Sequence, residues 1–526
     1  MTVEQLVSHC HALAMAGEDR WGLNAFLALH SRDIVLEQAR ESDERLSAGQ
    51  PRPLEGIPVS VKAMFACREF PLTASSKILS TEQPCGYDAH VVKQLRNHGA
   101  IIIGVTQMDE FGMGSLGSNL GNGKFTKNPL PFQSRHLQDA TSPADLLEWV
   151  KQPYQSKFES HGAALAASDF YSAGGSSCGS AVSVAHGSSV LSLGSDTGGS
   201  VRLPAAWCEI VGLKPSYGLL SRHGLVSYAS SLDTVGILGP TVACVGTAVD
   251  LLRTTAGDHP FDSTTTVSDQ SLFLGEESSG LKGYRIGLPA AFSVHECPED
   301  VRTAWSRAAE WLDQHGATIQ EVATDLVSPE LVLTSLAAYY VLASAEASSN
   351  LSRYDGLRYG ERTDVTSLAD GDTKEGWTPL ESQYAATRAQ GFGMEVARRI
   401  LCGTSVLSSD RFHTHYEAAA GVRAALTQQL HKTLKDEVDV LLVPTVLSSR
   451  PAALSHEAPI DPTSTFATDV MTVPASLAGL PAISVPWRVR EGEIFSSVGM
   501  QVIGARLQEA RVLKVAQVME AFKTVN

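Results

Sequence analysis

Apolar positions along the 526-residue chain alternate between two spacings, and each change of period marks a new element. At the start Val3, Leu6, Val7 and Leu13 share one side of a helical repeat, behind Thr2, a hydroxyl suited to capping it. Helical spacing continues over 31–47. The segment GIPVSVK (56–62) then switches to a period of two, with Ile57, Val59 and Val61 alternating, so that Lys62 closes a strand. A helix over 88–97, the apolar strand AIIIGVT (100–106) and a turn-rich stretch through Asn128 and Pro129 complete a β-α-β rhythm. Residues 130–171 lack sustained periodicity and are expected to form a surface insertion.

The segments VGLKPSYGLLSRHG (211–224) and SSLDTVGILGP (230–240) are punctuated by turn residues, and the polar stretch 258–280 is the strongest internal break. Beyond it the α/β rhythm resumes. Strands are predicted over 284–289, 439–444, 482–486 and 498–504, and helices over 303–315, 330–350, 412–436 and 507–522. No internal repeat is visible. The expected architecture is α/β: one domain over 1–526, with a large mixed sheet covered by helices on both faces.

Between these halves lies AGGSSCGSAVSVAHGSSVLSLGSDTGGSVR (173–202). Its Gly/Ser content suits a flexible linker, yet its apolar runs AVSVA and VLSL are those of a folded core. Two serine sites compete within it. Gly175-Ser176-Ser177-Cys178-Gly179 fits a nucleophile-elbow spacing centred on Ser177, but the preceding SDFYSAG is a poor match to the apolar strand an elbow needs. Further on, VLSLGSD runs into Thr197-Gly198-Gly199-Ser200, where backbone N–H groups beside small residues can converge on a developing oxyanion. A tight turn with a buried serine explains that spacing equally well. A phosphate-cradling loop at Gly123-Lys124 fails, because Ser118 and Phe125 stand where glycine and a hydroxyl are required.

Composition narrows the function classes. At 43% apolar and 19% charged residues the chain is an ordinary globular protein. Against 41 basic residues stand 57 acidic ones, a net charge of −16 with no Lys/Arg-rich run, so the chain is a poor primary ligand for nucleic acid. Eight scattered cysteines show no metal-ligand spacing. No uninterrupted apolar run approaches the roughly 18 residues of a membrane span. The N-terminus, with Glu4 early and no arginine before Arg20, resembles neither a secretory signal nor a transit peptide.

Three features recur together: a lysine closing a strand (PVSVK), the Gly-Gly-Ser-Ser run at 174–177 and the Gly-Gly-Ser turn at 198–200. With LEGIPVSVK (54–62), DAHVVKQLRNHGAIIIGVTQMDEFGMGS (88–115), GSDTGGSVRLPAAWCEIVGLKPSYGLLSRHGLVSYASSLDTVG (194–236), ASAEASSNLSRYDGLRYG (343–360), GFGMEVARRILCGT (391–404) and TDVMTVPASLAGLPAISVP (468–486), the chain resembles the amidase signature family over nearly its whole length outside 130–171. Within that family it is most similar to the branch that releases ammonia from glutamine for a tRNA-dependent amidotransferase.

The resemblance implies a serine–serine–lysine site. Ser200 would be the nucleophile, Ser176 the bridging serine held by a cis peptide, and Lys62 the base, with the backbone of Thr197, Gly198 and Gly199 as oxyanion hole. It further implies that Arg399 and Asp469 clamp the amino-acid end of glutamine, together with Tyr339 or its neighbour Tyr340. No cofactor or metal is implied in this chain. ATP and Mg²⁺ would be used by a partner B subunit, with a small third subunit completing the complex and tRNA held mainly by the partner.

The chemistry agrees with those roles. A lysine acts as base only when neutral, and apolar burial supplies the required fall in its pKa. A guanidinium and a carboxylate together answer the two charged groups of a free amino acid, whereas an aryl or fatty amide would leave both unpaired. Departures from the family pattern are Cys178 after the paired serines, Ala63 after the lysine, the VTQ segment ending in Gln107, and Glu209; Cys178 and Ala63 put catalytic efficiency in question. The alternatives are a free-standing amidase for another small amide and a catalytically impaired scaffold. The insertion and relaxed flanks suggest an organellar version, so the mitochondrial matrix is the expected location, with the cytoplasm as the alternative. The chain begins inside the family's N-terminal helical region, which leaves room for an upstream segment.

Overall fold

The computed structural model describes residues 1–132, 169–255, 261–268, 272, 280–364, 376–455, 461–490 and 493–522. Its strands are β1 (Phe26–Leu29), β2 (Pro58–Lys62), β3 (Ile101–Thr106), β4 (Asp169–Tyr171), β5 (Leu191–Asp196), β6 (Val211–Lys214), β7 (Thr234–Gly239), β8 (Arg285–Pro289), β9 (Thr318–Val322), β10 (Val440–Pro444), β11 (Ala453–Ser455), β12 (Ala482–Arg488) and β13 (Ser497–Gly504). Eleven of them form one sheet in the order β1-β3-β2-β5-β7-β6-β12-β13-β10-β8-β9. Parallel ladders join β3, β2 and β5 at one end and β10, β8 and β9 at the other. The middle of the sheet is antiparallel. This is the expected mixed α/β sheet.

Both faces are covered, which is why the central strands read as continuous apolar runs. Along β10, Val440 and Leu442 enter one core while Leu441 and Val443 enter the opposite one. The first core is roofed by helices His90–Asn97, Val242–Leu252, Glu299–Gln314 and Glu509–Glu520. The other side carries Pro329–Asn350 and Glu417–Lys432, with Val3–Trp21, Arg32–Ser47 and Cys178–Ala185 over β1 and β3. Thr2 caps the first helix by accepting from the Gln5 N–H, and the Gln5 side chain returns the bond to the Thr2 N–H.

The structure departs from the sequence reading at the turn-punctuated segments, and the reason is physical. The two turn-punctuated segments hold β6 and β7, with the helices Arg202–Trp207 and Val242–Leu252 on either side of them. Their glycines serve close packing: a Cβ at Gly212 would lie 2.6 Å from that of Ala205, and one at Gly236 would lie 2.8 Å from the Val201 side chain. Helix Pro329–Asn350, extended by one turn, is long and apolar enough by length and mean composition to cross a membrane, although its apolar run is not uninterrupted. Its Ser, Thr and Tyr residues interrupt the run without lowering hydropathy much, and half of it is buried inside the protein. Of the expected insertion at 130–171, residues 133–168 lie outside the described residues. Its flanks are the short turn Leu130–Phe132 and β4, which pairs antiparallel with β11.

Candidate active site

Lys62 ends β2 with its side chain fully buried. The ammonium nitrogen lies 2.8 Å from Ser176 Oγ, 2.9 Å from Ser177 Oγ and 2.9 Å from Ser195 Oγ. Burial is the main cause of its pKa falling from 10.5 to about 8, against the opposing pull of Cys178, Asp109, Asp196 and Asp233. The Gly175–Ser176 peptide is cis, and the Ser176 carbonyl accepts from the Asp109 N–H at 3.2 Å. The Asp109 carboxylate accepts in turn from the N–H groups of Gly117, Ser118 and Asn119, which fixes the loop facing the paired serines. Ser177, the elbow candidate, opens helix Cys178–Ala185 and gives its hydroxyl to the Ser195 carbonyl, so it belongs to the lysine's cradle.

The second serine site follows β5. Asp196 accepts from the N–H groups of Val201 and Arg202 and pairs with the Arg202 guanidinium at 2.8 Å, closing Thr197-Gly198-Gly199-Ser200 into a loop. Among the described residues the N–H groups of Gly198 and Gly199 make no hydrogen bond, although both residues are buried. Buried N–H groups without partners are costly, and an oxyanion placed there would satisfy them. Ser200 is partly exposed, and its carbonyl accepts from the Ser177 N–H at 3.1 Å, which brings the two serine motifs together. The hydroxyls of Ser176 and Ser200 are not hydrogen-bonded to each other. Glycine is required at 198 and 199: a Cβ at Gly198 would lie 2.6 Å from the Tyr339 hydroxyl, and one at Gly199 would collide with Thr472 Oγ1.

The charged pair expected to hold an amino acid is brought together around Tyr340. Arg399, buried on helix Met394–Val406, donates from Nε to Glu395 Oε1 at 2.8 Å and from Nη1 to the Tyr228 hydroxyl at 2.6 Å. Tyr340 stacks over the guanidinium at 5.2 Å and donates its hydroxyl to Asp469 Oδ2 at 2.8 Å. Ser115 supplies a second donor to the same oxygen at 2.9 Å. Burial raises the Asp469 carboxyl to about 6. Tyr340 therefore bridges Arg399 and Asp469, while Tyr339 turns toward Gly198.

Two of the departures from the family pattern, Cys178 and Gln107, meet each other beside the lysine's cradle. The Cys178 thiol donates to the Gln107 carbonyl at 3.7 Å, and burial pushes that thiol up to about 12, so it stays neutral. Glu209 serves the middle of the sheet, accepting from the Ser497 N–H and the Ser496 hydroxyl at the start of β13. Cys67, Glu69 and Asp88 form a cluster with metal-ligand spacing, but Arg96 already pairs with Glu69 and Asp88. Sequence reasoning missed Ser195, Tyr228, Asp233, Glu395 and Ser115. Only Glu395 left a local signal, its i,i+4 spacing to Arg399 on one helix.

The Amidase family model matches residues 17–133 and 166–513. The chain belongs to the amidase family. The break in that match, 134–165, falls within the segment expected as an insertion. Among curated amidase relatives, the glutamyl-tRNA(Gln) amidotransferase A subunit of Carboxydothermus hydrogenoformans is 39% identical over 491 residues, covering 93% of this chain and 88% of that protein. The chloroplastic/mitochondrial A subunit of Arabidopsis thaliana is 38% identical over 506 residues, covering 94% and 82%. The solved structure of the glutamyl-tRNA(Gln) amidotransferase A subunit from Thermotoga maritima superposes with a TM-score of 0.70 at 29% identity, covering 100% and 95%. A bacterial aryl acylamidase, at 19% identity and a TM-score of 0.72, shares the amidase fold.

Proposed function

We propose that this chain is the glutamine-hydrolysing A subunit of a glutamyl-tRNA(Gln) amidotransferase, with Lys62, Ser176 and Ser200 as its catalytic residues. The observation that carries the reading is the joint placement of a buried, pKa-lowered Lys62 on Ser176 and of Arg399 and Asp469 around Tyr340. Ser200 Oγ attacks the side-chain carboxamide carbon of glutamine, and its proton passes through Ser176 to the Lys62 amine. The oxyanion settles on the free N–H groups of the Thr197–Gly199 loop. Collapse of the tetrahedral intermediate breaks the C–N bond, and the returning proton leaves with the nitrogen as ammonia. Water then hydrolyses the Ser200 ester to glutamate. Arg399 takes the α-carboxylate and Asp469 the α-ammonium, with Tyr340 and Tyr339 lining the pocket.

Ammonia then passes to a B subunit that uses ATP and Mg²⁺ to amidate glutamate on tRNA(Gln), in a heterotrimer completed by a small third subunit. The names of the curated relatives, A subunits of glutamyl-tRNA(Gln) amidotransferases, support a place in a multisubunit amidotransferase. The net charge of −16 suits a chain that leaves most tRNA contact to its partner. The mitochondrial matrix is the proposed location; the organellar Arabidopsis relative supports it, and imaging of the tagged full-length protein separates it from the cytoplasm. The test of function is glutamine hydrolysis by wild type and Ser200→Ala, each alone and with the co-expressed partner subunits. Equal turnover by both proteins refutes the mechanism, and wild-type preference for another amide over glutamine refutes the substrate.

A further inference from the structure

We propose that Tyr228 is a specificity-determining positioning residue that couples a carboxylate bound at Arg399 to the oxyanion loop at Thr197 and Gly198. An amide without that carboxylate is then turned over slowly as well as bound weakly. The inference rests on the glutamine reading above.

Tyr228 is fully buried and reaches the loop by two routes. Its phenol accepts from Arg399 Nη1 at 2.6 Å and lies beside the Tyr339 phenol, whose hydroxyl packs directly on Gly198. Its backbone N–H donates to Asp233 Oδ2 at 2.9 Å, and Asp233 Oδ1 accepts from the Thr197 hydroxyl at 2.8 Å. Thus Arg399, Tyr228 and Tyr339 form a continuous row ending on one residue of the oxyanion loop, while Asp233 ties the same tyrosine's backbone to the residue before it.

The row has an open end. Arg399 Nη2 makes no hydrogen bond among the described residues, because Nε is taken by Glu395 and Nη1 by Tyr228. Glu395 is itself shared with Arg398, so the Arg399 charge is only partly balanced before a ligand arrives. A carboxylate on Nη2 completes the guanidinium's bonds and holds it against Tyr228. Tyr228 and Tyr339 are then held against Gly198, where small displacements weaken donors aimed at the transition state. Binding energy at a remote group of the substrate is thereby used at the reacting centre.

The test compares glutamine with 4-aminobutanamide, which is glutamine lacking the α-carboxylate, using wild type and Tyr228→Phe in the chain with its co-purifying subunits. In wild type kcat is expected to be higher for glutamine. Tyr228→Phe should lower kcat for glutamine about tenfold, the size of one lost hydrogen bond at the transition state, and change kcat for 4-aminobutanamide less than about twofold. Equal losses on both substrates, or an unchanged kcat for glutamine, overturn the coupling while leaving the glutamine reading intact. Wild type that shows no preference for glutamine overturns the glutamine reading itself. If Tyr228→Phe does not fold, wild type alone decides: equal kcat on the two amides, with their difference confined to KM, overturns the coupling.

Discussion

The charge state of Lys62 fixes how turnover should respond to pH. Burial brings its pKa from 10.5 to about 8, so the protein makes the ammonium about 3 kcal/mol less favourable, relative to the amine, than water does. At pH 7 about one molecule in ten then carries the amine, and at pH 6 about one in a hundred. If the amine is the base, kcat for glutamine rises about tenfold per pH unit below 8 and levels above it. The same group links to stability. Between pH 8 and 10.5 the unfolded chain binds the lysine proton and the folded chain does not, so stability rises with pH across that window. Below pH 8 the full penalty is present. The assay is steady-state ammonia release from pH 5.5 to 8.5, paired with denaturant melts of wild type and Lys62→Met from pH 7 to 10. Wild type should gain up to about 3 kcal/mol on the variant as pH rises. A kcat that is flat from pH 6 to 8, or parallel stability curves for the two proteins, would refute a neutral-lysine base.

Other outcomes follow from the same geometry. Ser200→Ala should keep the wild-type melting temperature within a few degrees and lose about a thousandfold or more in kcat, measured by ammonia release. Arg399→Lys cannot serve Glu395 and Tyr228 as a planar fork, so kcat/KM for glutamine should fall about 10- to 100-fold. Because Asp469 titrates at about 6, KM for glutamine should rise as pH falls through 6, and Asp469→Asn should abolish that limb while raising KM throughout. Gly199→Ala drives a methyl into Thr472 and should cost at least about tenfold in kcat, read against an unchanged KM.

Local pattern carried a large part of this protein. The period-two run before Lys62 became β2, the capped amphipathic start became helix Val3–Trp21, and most strand limits agree within a residue or two. What misled was glycine. Between 211 and 240 it signalled turns, yet Gly212 and Gly236 lie inside strands where the helix Arg202–Trp207 and the residue before it, Val201, sit too close for a side chain. A one-dimensional pattern cannot distinguish a glycine that bends the chain from one that admits a neighbour.

By itself the sequence determined the residue types, the strand that buries Lys62 and the glycine loop before Ser200. Those depend on short-range periodicity and on backbone freedom at single positions. The tertiary structure alone decided who meets whom. Lys62 contacts a serine 114 positions away, Arg399 a tyrosine 171 positions away, and Asp469 a serine 354 positions away. It also decided that the Tyr339–Tyr340 pair divides its work, one ring on the oxyanion loop and the other on Arg399 and Asp469. Such pairings are selected by the order of strands in the sheet and by the helices that pack over it. That order reflects the joint burial of many distant apolar faces, which no window of neighbouring residues contains.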